Sequence, residues 1–278
     1  MKRGVNGGTT LCQFSTSVQM KFLPSSFSQK GAGGIATCHA VHALLILFFI
    51  LLPSGVIAQE GRGYIDITGG YKTGDFGTPT RSNLYYLAPT LGYVAQRYDA
   101  SVTVPYLSLT NETGSVSTTE SGIGDIILRG GRVLAPEGES GLSLYGSLAV
   151  KLPTADEDKG LGTGETDYGA FLSLYKRIES IKLAFMGGYI ITGDPSSFNY
   201  NDIYLYGVGV SKVFDRSDLF ASLEGRRSAV PGADNPLELN FGFFHLLSKD
   251  YSLKGSTFFG LNDGGPDFGL GLGIVRWF

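Results

Sequence analysis

His245 is the first residue to ask for chemistry, because the segment that follows residue 58 holds no other histidine. Serine hydrolysis needs a hydroxyl within hydrogen-bond reach of an imidazole that takes its proton. Ser248 is close in sequence, but residues an odd number apart on a strand point to opposite faces. Asp156-Glu-Asp158 could touch a divalent cation, although a Ca2+ loop requires more defined ligand spacing than three consecutive acids. Gly160-Leu-Gly-Thr-Gly164 has the glycines of a phosphate cradle without the strand–helix–strand unit around it. No metal, no cofactor and no catalytic group is expected, so the chain reads as a protein that is not an enzyme. A lipid hydrolase built on His245 is the last alternative.

The N-terminus carries a processing signal. Residues 43–52 form an uncharged apolar run, too short for a spanning helix of about 20 residues. Lys21 and Lys30 precede it and Pro53-Ser-Gly-Val-Ile-Ala58 follows, the layout of a secretory signal peptide cleaved after Ala58. The segment 1–58 is long for a signal, and Met20 is a second candidate start. Its removal leaves 59–278 as one domain and takes away Lys2, Arg3, Lys21 and Lys30 with no acid. Eighteen basic residues then face 25 acidic ones, net −7, which argues against nucleic acid as a partner. Cys12 and Cys38 leave as well. A secreted chain of this size without disulfides needs a large core or a closed ladder.

The segment 141–152 shows which. Leu142, Leu144, Gly146, Leu148, Val150 and Leu152 alternate with Ser143, Tyr145, Ser147, Ala149 and Lys151. That is a strand with one greasy and one polar face. Eleven further segments read as strands: 64–74, 84–95, 98–109, 122–134, 166–176, 182–192, 202–213, 219–230, 237–247, 251–261 and 268–278. Tyr85 and Tyr93 bracket the apolar face of one strand, and Tyr98 and Tyr106 that of the next. Eight tilted strand residues rise roughly 20 Å, near the height of an outer-membrane apolar band. Tyrosines with an apolar body and a polar tip belong at its two edges. The greasy faces therefore point to lipid.

The connections alternate between short, as at 96–97 and 248–250, and longer, as at 75–83, 110–121 and 153–165. Short periplasmic turns, longer outer loops and both termini in the periplasm require an even strand number, and twelve fits. The fold class is a closed, all-β, transmembrane antiparallel up-and-down barrel in the bacterial (Gram-negative) outer membrane, reached by secretion through the inner membrane. Phe278 closes the last strand as the signal read by the barrel assembly machinery, although Arg276 stands where an apolar residue is usual. The other partners expected are outer-membrane lipid, lipopolysaccharide and a small-molecule solute.

The inward faces carry Asp125, Arg129, Lys151, Asp167, Glu224, Arg226, Glu238 and Lys254, with Tyr145, Phe171 and Tyr175 as apolar contacts. Such a lining can select solutes by size, charge and apolar contact, or it can fill a closed structural barrel with no transport. The loop 153–165 is the best candidate to fold inward and plug the lumen, against a solvated surface loop. Leu148→Arg on the lipid face should cost about 2–4 kcal/mol, and Ala149→Arg inside should be milder.

Four stretches resemble one family: Gly122-Ile-Gly-Asp-Ile-Ile-Leu128, Val150-Lys-Leu-Pro-Thr154, Gly160-Leu-Gly-Thr-Gly164 with Asp167, and Asn235-Pro-Leu-Glu-Leu239. They are similar to outer-membrane transporters grouped as MetA-pathway of phenol degradation proteins. The resemblance covers most of 59–278. It implies a barrel and the uptake of small, aromatic or apolar compounds, and it carries over no catalytic residue. The expected function is a narrow passive channel for such solutes.

Overall fold

A computed structural model describes residues 61–278 except 197; the expected signal peptide at 1–58 lies outside the described residues. The described chain is all-β. Its strands are β1 (Gly61–Gly74), β2 (Thr80–Ala95), β3 (Tyr98–Thr103), β4 (Tyr106–Thr113), β5 (Val116–Ile123), β6 (Ile126–Ala135) and β7 (Leu142–Leu152). They continue as β8 (Asp167–Ile178), β9 (Ile181–Ile191), β10 (Ile203–Val213), β11 (Ser217–Arg226), β12 (Leu237–Leu246), β13 (Tyr251–Gly260) and β14 (Phe268–Trp277). Every pairing is antiparallel, and β14 returns to β1, which also pairs with β2. The ladder closes on itself.

Fourteen segments make twelve barrel strands, because β3 with β4 and β5 with β6 each act as one. The expected strand 98–109 is interrupted at Val104 and Pro105. The lower part of β2 pairs with β3 and the upper part with β4. Proline has no N–H to give a ladder, and the residues opposite the gap are Ala88 and Pro89. Single bonds bridge it: Val104 N–H donates to the Pro89 carbonyl at 3.1 Å, and Gly124 N–H to the Pro105 carbonyl at 2.8 Å. The alternation survives the gap, with Val104 and Tyr106 exposed and Thr103, Pro105 and Leu107 buried.

The expected loop 110–121 is not a loop. Its residues extend β4 and β5 into a hairpin turned at Gly114 with φ 61°. Threonines explain the extension: Thr110 and Thr119 face each other with hydroxyls 2.9 Å apart, a cross-strand pair that suits a ladder in water. β6 pairs onward with β7, whereas β5 ends the strand order, so no described strand covers its far edge. That edge is mostly polar (Val-Ser-Thr-Thr-Glu-Ser), as exposed edges must be.

The two wall faces separate cleanly. Ile65, Ile67, Leu87, Leu91, Leu172, Phe185, Val208, Leu272 and Ile274 lie exposed on the outside. Water would make so broad an apolar belt a liability, whereas a bilayer makes it the favourable surface. Tyr85 (58% exposed) and Tyr106 (50%) stand at one height of the belt, and Tyr93 and Tyr98, both half-buried, near the other. Arg132, on the same face as Leu134, lays its guanidinium over the Tyr98 ring at 5.2 Å. A long side chain at the rim can cover apolar surface and keep its charge in the headgroup layer.

Candidate functional site: the barrel lumen

The residues opposite the belt form the lumen, and their charges meet in compact groups. Near the outer end Lys151, 3% exposed, holds Asp167 at 2.9 Å and Asp125 at 3.3 Å. It also donates to the Thr163 hydroxyl at 2.8 Å. Arg226 binds Glu238 at 2.6 Å, and the Ser222 hydroxyl donates to Glu224 at 2.8 Å. Nearer the periplasm the Tyr145 hydroxyl donates to Asp99 at 2.6 Å, and Arg129 donates to Tyr145 at 2.9 Å. Arg129 also pairs with Asp99 at 3.5 Å, and Lys254 binds Asp66. Gly131 makes room for this group: a Cβ there would lie 1.8 Å from the Tyr145 hydroxyl oxygen.

Each expected lumen residue thus sits on the inward side, buried or half-buried: Asp125, Arg129, Lys151, Asp167, Glu224, Arg226, Glu238, Lys254, Tyr145, Phe171 and Tyr175. The structure distributes them along the barrel rather than gathering them at one centre. Their partners Asp66 and Asp99 were legible from alternation, since both oppose apolar outer residues, yet only barrel closure brings Asp66 to Lys254.

Two apolar clusters also line the interior. Leu84 and Tyr86 of β2 meet Leu107 and Leu109 of β4, and Ile127, Ala149, Phe171, Ile190 and Leu205 meet further round the wall. Ala149 is 2% exposed within the second cluster, so Ala149→Arg would drive a long charged chain into packed apolar groups. The expectation that this change is mild does not fit that site. A third cluster, Tyr64, Phe244, Val275 and Trp277, packs at the periplasmic end, with the Trp277 indole N–H donating to Ser252 at 3.0 Å.

The loop 153–166 enters the lumen. Asp125 accepts the N–H groups of Thr154 (3.1 Å) and Ala155 (3.0 Å), which turns the chain inward directly after β7. Gly160 and Gly164 take φ of 69° and 72°, left-handed conformations that cost other residues energy. Leu161 between them is 0% exposed among Leu84, Tyr86, Leu107 and Leu109. Burying a leucine side chain stabilises by about 1.5–3 kcal/mol. The neighbouring acids stay outside: Asp156, Glu157 and Asp158 are exposed, and Asp156 pairs with Lys159 at 3.7 Å. Glu165, at the end of the loop, has its carboxyl raised above the ordinary value by burial and then by Glu157, Asp167 and Asp194, with Lys151 opposing.

The rim holds two further features. Ser217, not Ser248, is the serine beside His245, its hydroxyl 2.8 Å from Nδ1 across the β11–β12 ladder. A partner on the adjacent strand has no signal in sequence, because register fixes it. Both residues are half-buried on the outer face. Phe278 is exposed, its N–H donates to the Gly63 carbonyl at 2.9 Å, and Arg276 lies over its ring at 5.3 Å. The arginine thus borders lipid in the same way as Arg132.

A closed twelve-strand barrel with a lipid belt outside and paired charges with apolar clusters inside defines the class: an outer-membrane β-barrel. The chain belongs to the family described as "Putative MetA-pathway of phenol degradation", whose sequence model matches residues 64–278. Among solved structures it is similar to the COG4313 outer membrane channel from Pseudomonas putida F1. The TM-score is 0.66 at 16% identity, covering 78% of this chain and 96% of that one. It is also similar to the KdgM porin, with a TM-score of 0.52 at 10% identity over 77% of this chain and 99% of that one. At such identities the likeness concerns the fold. No curated protein sequence matches significantly.

Proposed function

We propose that the barrel is a narrow passive channel through which small neutral, aromatic or apolar solutes cross the outer membrane. The observation that carries this reading is the inner wall. Membrane insertion explains apolar residues outside, but Leu84, Tyr86, Leu107 and Leu109 face inward, in a lumen where Arg129, Lys151, Arg226 and Lys254 each hold a carboxylate. A lumen of that kind passes ions at low conductance and offers contact to apolar molecules. Lys151, Asp167, Glu224, Arg226 and Glu238 set its residual charge selectivity. In this reading the chain passes the inner membrane with a signal at 1–58 and is inserted by assembly machinery that reads Phe278. The outer acids 156–158 meet divalent-bridged lipopolysaccharide. His245 and Ser217 form a rim contact without catalysis.

Conductance of the refolded protein in planar bilayers tests the proposal. Discrete steps are expected, and Lys151→Glu should shift their selectivity toward cations. The buried periplasmic cluster around Trp277 favours a second reading, a closed structural barrel. A folded, heat-modifiable barrel that stays silent in the bilayer would select it.

A further inference from the structure

The loop 153–166 is polar except for short Ala155, Pro153 and one large apolar side chain, Leu161. That side chain is inserted into a surface that it does not share with its own hairpin. Leu84, Tyr86, Leu107 and Leu109 belong to β2 and β4, on the ladder β2–β4, whereas the loop hangs from β7 and β8. The four wall residues are fixed by strand register and remain in place whether or not the loop is there. A released loop would leave them as an apolar surface facing the lumen. Cavities lined by such side chains stay dry and accept small apolar molecules.

We propose that these four wall residues form a binding site for a small neutral apolar solute, and that Leu161 occupies it as a built-in competitor. The inference rests on the channel reading for its solute class, but it assigns a site and a competitor that the reading alone does not. The latch is polar and local. Lys151 holds Thr163, and Asp125 holds the backbone of Thr154 and Ala155, while Gly160 and Gly164 allow the chain between them to turn. Solute arriving from outside exchanges with Leu161, and the loop reseats after it leaves.

The test is methyl NMR of leucine-labelled protein in lipid nanodiscs, titrated with toluene. Leu84, Leu107 and Leu109 report the site, and the exposed Leu172 and Leu272 report toluene dissolved in lipid. Saturable shifts are expected at the first three. Leu161→Ala should lower the apparent Kd about tenfold if the loop occludes the site in about nine-tenths of molecules. Thr163→Ala, which loosens the latch and keeps the apolar wall, should act in the same direction and serves if Leu161→Ala misfolds. Shifts confined to Leu172 and Leu272, or an affinity unchanged in both variants, would overturn the inference. Saturable site shifts in a barrel silent in the bilayer would support the site and defeat the conducting reading. Discrete conductance without site shifts would do the reverse.

Discussion

The two ends of the lumen are built by different means. At the periplasmic end Tyr64, Phe244, Val275 and Trp277 stand on strands, as do Asp99, Arg129 and Tyr145. Each stands on a backbone held in the ladder. At the outer end the lumen holds a loop, fixed by one leucine, one lysine, the Thr154 hydroxyl and the backbone bonds to Asp125. A loop can open locally at a small fraction of the global unfolding free energy. The outer element is therefore built to exchange and the inner ones to stay in place.

The largest expected effect breaks the inner group. Arg129→Ala leaves Asp99, whose side chain is 11% exposed, without its cation on a wall that cannot open. Removing one partner of a buried pair costs about 3–5 kcal/mol, read from urea unfolding of the refolded barrel. Lys151→Met strands Asp125 and Asp167 in the same way, but the loop can swing out and let water reach them. Its global loss should be smaller than that of Arg129→Ala, while amide exchange at Leu161 accelerates. Equal losses, with no faster exchange, would remove the distinction between the two ends.

A smaller pair of effects sharpens the contrast between the two wall faces. Leu148→Arg places a charge at mid-membrane on the lipid side and should cost about 2–4 kcal/mol. Ala149→Arg overpacks the inner cluster and should cost about 1–3 kcal/mol, in place of the mild effect expected from a polar lumen. A denaturant titration in which Ala149→Arg is neutral would show that the lumen yields there as a solvated pore would.

The smallest effect is a pH dependence confined to the outer end. Burial and nearby carboxylates raise Glu165 above its ordinary value of 4.5. An acid whose value is raised with the loop in place binds its proton more tightly in that state. The inward loop is thus fully favoured below the ordinary value and loses this support as pH rises through the raised one. The protection factor at Leu161, which removes the intrinsic pH dependence of amide exchange, should fall across that window, and Glu165→Gln should flatten the response. The periplasmic cluster around Trp277 should show no matching change. A protection factor that rises with pH would reverse the sign and refute the account.

Alternation with period two was enough to read the barrel, its lipid side and the inward charges, because a strand fixes the direction of every side chain locally. The tyrosine pairs 85/93 and 98/106 set the height of the band for the same reason. The hairpin of β4 and β5 was missed because Thr, Ser and Glu mark a loop unless cross-strand partners are known. Ser217 was missed because its distance from His245 depends on register across two strands. Sequence by itself determined the class of fold and the two faces of the wall, both consequences of local stereochemistry. Only the tertiary structure decided that Asp66 meets Lys254, that Pro89 and Pro105 interrupt the ladder together, and that Leu161 turns inward. The first needs the closing pair of β1 and β14, the second the register of neighbouring strands, and the third the curvature that brings the loop after β7 to β2 and β4.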